Sequence, residues 1–233
     1  MKPSHEIHDV QFRIEGPVVA HIQKVFTEDW NFTTNERLDG ERWFPKLEAR
    51  GTIPARGVSS GPGEDLEKLR LVLLGALSSA RTRVVIVTPY FLPDADLISA
   101  LKITALRGVQ VDIILPEEND LHLVRWAETA QYAQIVEFGC RIWIVPGPFT
   151  HTKLMVVDGI WSMIGSANWD ARSLRLNFEF NIECYDLALA DCLQKQIEIY
   201  FANAQPMTLD KLNRRSFLAK LRDGVTRLFM PYL

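Results

Sequence analysis

His151 and Lys153 stand two residues apart in His151-Thr152-Lys153-Leu154-Met155-Val156-Val157-Asp158, and Gly165-Ser166-Ala167-Asn168 follows shortly after. Residues two apart on an extended segment leave the same face, so the imidazole and the ammonium point the same way. Ser166 and Asn168 repeat that spacing past the next apolar run. One imidazole, one ammonium, one hydroxyl and one amide at a single spot suit a phosphoryl group. Lys153, Ser166 and Asn168 supply donors for non-bridging oxygens, and His151 can attack phosphorus or move a proton.

The elements around these residues must bring the two pairs together. Asp158-Gly159 between residues 153–157 and 160–164 is a strong hairpin signal, and the hairpin folds the second pair alongside the first. Upstream, residues 64–80 carry a helical apolar stripe, and residues 84–88 form a β-branched run that ends at Pro89-Tyr90-Phe91-Leu92-Pro93. Asp94 caps a helix that reaches about residue 107, and Gly108 ends it. A second buried strand at 109–115, a helix at 120–138 closed by Gly139, and a third strand at 140–145 follow. This alternation predicts right-handed crossovers and parallel strands, which the hairpin converts into a mixed sheet. Residues 177–185 alternate as another strand, and a helix runs from about 187 to 202.

The flanks are less regular. Residues 10–14 alternate as a short strand, and Pro17 opens a helix to about residue 32. Residues 33–63 read as a long connection with a boundary near Gly51. The segment 209–228 interleaves Lys211, Arg214, Arg215, Lys220, Arg222 and Arg227 with apolar residues. That basic amphipathic pattern fits either an anionic bilayer or docking of its apolar stripe on the chain's own core, the second being favoured in a soluble domain.

Composition narrows the classes. The chain has 233 residues, 47% apolar and 24% charged, which excludes disorder and disulfide scaffolds. Twenty-six basic against twenty-nine acidic residues give no global cationic field for nucleic acid. Cys140, Cys184 and Cys192 have no metal-ligand spacing and read as reduced, mostly buried thiols. No secretory signal or apolar run of membrane-spanning length is evident. His5 and His8 fall in a terminal segment expected to be disordered. Trp126 and His122 read as packing residues, and Tyr90 and Phe91 divide evenly between core and crevice.

The pattern H-x-K-x4-D-x6-G-S-x-N is complete here, and six fixed residue types at about 5% usage coincide by chance at roughly 10⁻⁸ per starting position. It resembles the signature of the phospholipase D superfamily. The flanks Ser60-Gly61-Pro62, Tyr90 to Asp94, Trp169-Asp170-Ala171-Arg172-Ser173 and Met230-Pro231-Tyr232-Leu233 are similar to bacterial cardiolipin synthases of that type. Residues 10–32 resemble the stretch that follows the first motif in those two-motif enzymes.

The resemblance implies an α/β fold, a phospholipase D-like α/β/α sandwich with a mixed, largely parallel sheet. It divides the chain into a remnant of the first half with its linker (1–50), a single-motif catalytic domain (51–205) and the basic C-terminal segment (206–233). It also implies phosphatidyl transfer on glycerophospholipids through a phosphohistidine, with no metal or cofactor. The catalytic signature comprises His151, Lys153, Asp158 and Glu179, with Lys153, Ser166 and Asn168 binding phosphate. Asp158 is scaffold within that signature, and Glu179 is expected to orient His151. His151 is nucleophile or proton-transferring group, the latter favoured if the chain is a second half. Because the reaction needs two histidines, the partners implied are a homodimer or a separate first-half chain, a phospholipid substrate and an anionic membrane surface, with no nucleic acid. The expected location is cytoplasmic, peripheral to the inner membrane. The rival readings are a dimeric nuclease or other phosphodiesterase, and a non-catalytic phosphate-binding remnant.

Overall fold

A computed structural model describes residues 7–62, 66–119 and 121–229. In chain order its first elements are β1 (Ile7–His8), α1 (Val19–Thr34), β2 (Ala55–Ser60), α2 (Lys68–Ser79), β3 (Arg83–Val87), β4 (Phe91–Leu92), α3 (Ala95–Leu106) and β5 (Gln110–Pro116). Then come α4 (His122–Val136), β6 (Arg141–Val145), β7 (Phe149–Thr150), β8 (Leu154–Val157), β9 (Trp161–Gly165) and β10 (Trp169–Asp170). The chain continues with α5 (Ala171–Arg175), β11 (Glu179–Tyr185), α6 (Leu187–Asn203), β12 (Gln205–Met207), α7 (Leu209–Asn213) and α8 (Phe217–Arg227).

The main sheet has eight strands in the order β12-β6-β5-β3-β8-β9-β11-β2. Strands β3, β5 and β6 are parallel neighbours, as their intervening helices require. The other ladders are antiparallel. Five of the eight strands point one way, yet adjacent parallel pairing is confined to those three, a smaller share than expected. The cause is the hairpin: β8 and β9 enter beside β3 and reverse direction twice.

Helices cover both faces, which explains the continuous apolar runs in β3 and β5. Val84, Ile86, Val111 and Ile113 join Leu69, Leu73, Leu101 and Tyr132 of α2, α3 and α4 in one core. Val85, Val87, Ile114 and Val156 join Leu193 and Ile197 of α6 in the second. Asp94 caps α3 by accepting from the Asp96 and Leu97 amides, and Asp186 caps α6 through Leu189.

Three expectations change. Residues 10–14 are not a strand: Ile14 packs against the second core, but β2 already occupies the sheet edge beside β11. The strand lies instead at β1, so His8 is ordered and pairs with Thr150. The connection 33–63 contains β2, whose sequence Ala-Arg-Gly-Val-Ser-Ser lacks apolar alternation because it is an edge strand held by β11 and by Arg56 on Glu183 at 2.5 Å. The helix expected to begin at Glu64 starts among described residues at Lys68. Glu64, Asp120, His5 and the closing Met230 to Leu233 lie outside them.

The C-terminal segment is two helices, broken where Ser216 caps α8 by accepting from Ala219. Leu212 of α7 docks in the first core, whereas the apolar residues of α8 remain exposed. No helix of the described residues is long and apolar enough to cross a membrane. Cys140 and Cys184 are buried free thiols, and Cys192 is exposed.

Candidate active site

The motif residues gather at the end of the sheet where β3 and β9 finish and β8 and β11 begin. β1 pairs with β7, and the His151 amide donates to the His8 carbonyl at 2.8 Å, so the chain enters the motif already extended. Thr150 and Thr152 face inward, where their hydroxyls meet Tyr200 of α6 at 3.3 and 3.1 Å. His151 and Lys153, on the alternate positions, are therefore left to the other side.

Lys153 is partly buried, and its ammonium donates to the His151 carbonyl at 2.6 Å. Burial pulls its pKa down to about 8, against the upward pull of Asp9, Glu179 and Asp170. A lysine so placed is charged at neutral pH and has little solvation to lose to an incoming anion. A groove of about 210 Å³ opens beside it, lined by Asp9, Phe12, Gly165 and Phe180 among others.

The hairpin that joins the pairs is fixed at its far end. Asp158 and Gly159 both have positive φ, 52° and 66°, the conformation of a type I′ turn. The Asp158 carboxylate accepts from the backbone amides of Arg81, Thr82 and Arg83 and from the Thr82 hydroxyl, all at 2.8–2.9 Å. Burial pulls its pKa upward, but these bonds hold it below the usual carboxylate range. Five residues of extended chain put Asp158 about 16 Å from Lys153, so it acts on the turn and not on the reacting atoms.

At the near end, a Cβ on Gly165 would meet Asn181 Oδ1 at 2.3 Å and the Phe180 carbonyl at 2.5 Å, so glycine alone lets β9 approach β11 there. Ser166 is tied into that crossing: its hydroxyl accepts from the Phe180 amide at 3.0 Å, which makes it a register pin as well as a donor. The Asn168 amide N–H donates to the Ser173 hydroxyl at 2.9 Å. Asn168 Oδ1 is buried with no hydrogen-bond partner among the described residues.

Glu179 departs from the expected arrangement. Its Oε1 accepts from the Ser173 hydroxyl at 2.5 Å and from Asn177 at 3.2 Å, and among the described residues no hydrogen bond joins it to His151. It begins β11, one strand beyond β9, and Ser173 of α5 occupies its acceptor oxygen. Among the described residues, the carboxylate within hydrogen-bond reach of the ring is that of Asp9, whose Oδ2 lies 3.4 Å from His151 Nδ1. Sequence reasoning missed Asp9. The available signal was a parallel between segments: Asp9 precedes an alternating run and a helix, as Glu179 does.

Aromatic residues support the rim. Tyr90, Phe149 and His151 form a chain of ring contacts at 6.1 and 6.0 Å, while Phe91 is fully buried against Trp169, so Tyr90 belongs to the crevice and Phe91 to the core. β4 pairs with β10 through these residues. Behind them, buried Glu128 accepts from the Phe91 amide at 2.7 Å, and burial pushes its pKa up to about 7. Asp170 is likewise raised, by burial first and by Glu179, against the Ser173 amide bond.

Residues 73–201 match the family described as "Cardiolipin synthase, PLD-like domain". Cardiolipin synthase 2 of Staphylococcus epidermidis is 35% identical over 227 residues, 97% of this chain and 46% of that protein. Cardiolipin synthase A of Proteus mirabilis is 37% identical over 97% of this chain and 47% of that protein. The chain thus spans about half the length of the curated relatives it matches. Among solved structures, the phosphatidylserine synthase of Haemophilus influenzae superposes with a TM-score of 0.62 at 16% identity, covering 80% of this chain and 49% of that one. Nuc of Salmonella typhimurium, a phospholipase D family member, superposes at 0.58 with 19% identity, covering 67% of this chain and 99% of that one. At these identities the likeness is one of fold.

Proposed function

The chain belongs to the phospholipase D-like family of the cardiolipin synthases, and on that premise we propose that it is one catalytic half of a phosphatidyltransferase acting on anionic glycerophospholipids. The observation that carries the reading is a complete single motif at one sheet end, in a chain alignable over 97% of its length with about half of each synthase. Lys153 and the side-chain NH2 of Asn168 hold the non-bridging oxygens of the phosphodiester, and His151 supplies one of two imidazoles.

In the first step one imidazole nitrogen attacks phosphorus, a P–N bond forms and the P–O bond to the departing alcohol breaks. The other imidazole gives that alkoxide a proton. In the second step the same imidazole takes the proton of the acceptor alcohol, whose oxygen displaces the first nitrogen. His151 is the proton-transferring member of the pair. The second histidine comes from a first-half chain or from a second copy across a two-fold axis. Residues 1–50 correspond in sequence to the stretch that follows the first motif in such enzymes, though they pack on this half, and residues 51–205 carry the motif. Glu179 acts through Ser173 on the backbone N–H of Asn168, and Asp158 acts on the hairpin. The protein works at an anionic membrane surface on the cytoplasmic side.

The test is transfer of radiolabelled phosphatidylglycerol by the chain alone and mixed with a first-half chain. Product that appears on mixing, or with second-order dependence on the chain alone, supports the reading. Cleavage of DNA without lipid turnover would replace it with a nuclease, and no turnover under either condition leaves a phosphate-binding remnant.

A further inference from the structure

Helix α8 is turned the opposite way from an ordinary surface helix. The residues it buries are polar, Asp223 at 1% exposure and Thr226 at 7%, whereas Phe217, Leu218 and Leu228 are 74–77% exposed and Leu221 51%. Asp223 holds the helix down: its carboxylate pairs with Arg215 and Arg222, and the Arg222 guanidinium lies 4.1 Å over the Trp126 ring of α4. At 100° per residue, Phe217, Leu218, Leu221, Val225 and Leu228 span about 100° of the helix surface. Asp223 and Thr226 lie on the opposite side, so the apolar stripe looks straight away from the body. Lys220 and Arg227 border it on one edge and Arg222 on the other.

Charge is segregated in the same way. Residues 205–233 carry a net +4, while residues 1–204 carry −7. An anionic surface repels most of this protein and attracts this end, so the field itself selects which side approaches. An apolar stripe bordered by basic side chains is the form of a helix that lies in the headgroup region of a bilayer.

We propose that α8 is a membrane-docking helix whose Phe217, Leu218, Leu221, Val225 and Leu228 enter the outer region of an anionic bilayer while Lys220 and Arg227 meet its headgroups. This deepens the reading of the substrate as a membrane lipid, and its test reads binding, not turnover. The 233-residue chain is sedimented with vesicles of phosphatidylcholine alone and of equal parts phosphatidylglycerol and phosphatidylcholine.

Wild-type chain binds the mixed vesicles at least about tenfold more tightly, and added salt weakens binding. Leu221→Glu/Val225→Glu, at exposed positions that leave the melting temperature unchanged, loses about tenfold or more. Lys220→Gln/Arg227→Gln reduces the preference for the mixed vesicles and keeps the stripe. His151→Ala binds as wild type, which separates this inference from the catalytic one. The proposal is overturned if wild-type chain binds neither vesicle, or if Leu221→Glu/Val225→Glu binds as well as wild type. A change in oligomeric state on that substitution with vesicle binding intact assigns the face to a protein partner and overturns it too.

Discussion

The two ends of the central strands use the same side chains to opposite effect. Where β3, β5 and β6 begin, Asp112 is fully buried and accepts from Arg141 twice at 2.7 Å, from Gln110 and Trp143 at 2.8 Å, and from Arg83. Burial alone raises its pKa, but those donors bring it below the ordinary carboxylate value. Asp158, at the same end, is saturated in the same manner. At the motif end, Glu128 and Asp170 are raised, Lys153 is lowered, and Asn168 Oδ1 and Asn181 Nδ2 are buried with no partner among the described residues. Burial and donor supply together separate the two ends: Asp112 and Asp158 are richly supplied with donors, whereas the shifts of Glu128, Asp170 and Lys153 are led by burial. One end has its carboxylates saturated with donors, while the other keeps buried ionisable groups with shifted pKa values beside the proposed phosphodiester site.

Breaking each end gives different readouts. His151→Ala lowers kcat/KM of the assembled enzyme by about 10³-fold or more, roughly 4 kcal/mol of transition-state stabilisation, with an unchanged melting temperature. Asp112→Ala does the reverse. It leaves Arg141 and Arg83 without their buried partner and lowers stability in urea by about 3–5 kcal/mol. If Asp112→Ala left stability intact and removed turnover, the division between the ends would fail.

Two pH experiments sharpen the contrast. Glu128 titrates near 4.5 unfolded and at about 7 folded. Between those values the folded chain keeps a proton that the unfolded chain has released, so stability falls as pH rises through the window, by up to about 3 kcal/mol. Glu128→Gln flattens that slope in thermal melts from pH 4 to 8 while its amide oxygen still accepts from Phe91. Lys153 titrates near 10.5 unfolded and at about 8 folded. Its burial cost is full below pH 8 and is relieved as pH rises to 10.5, but binding loses the ammonium over the same range. The kcat/KM profile of the assembled enzyme therefore falls about tenfold per pH unit above 8, and Lys153→Arg removes that limb.

The sequence displayed much of this because its signals were local. The Asp158-Gly159 turn, the Asp94 cap and the β-branched runs of β3 and β5 each depend on a few neighbouring residues, and each lies where expected. β2 was hidden because an edge strand whose partner is β11 needs no apolar pattern of its own. The orientation of α8 was hidden for a related reason: a stripe of Leu and Phe reads as core-facing, and only the burial of Asp223 on α4 shows that it is turned outward. At the site, spacing revealed His151, Lys153, Ser166 and Asn168 because alternation and one hairpin determine their faces. Asp9 came to His151 through the two-residue pairing of β1 with β7, a contact across more than 140 positions that no local pattern encodes.

The Asp158 carboxylate reaches residues 75–77 positions earlier in the chain. Contacts of that span form only after the intervening β3-α3-β5-α4-β6 run has collapsed, since closing so long a loop costs entropy that only subsequent contacts recover. The signature aspartate thus acts on the order of assembly. The hairpin carrying His151, Lys153, Ser166 and Asn168 can pair early, but it is locked to the sheet late. Weakening contacts that form late leaves the folding rate nearly unchanged, so a chain weakened at Asp158 is expected to unfold faster.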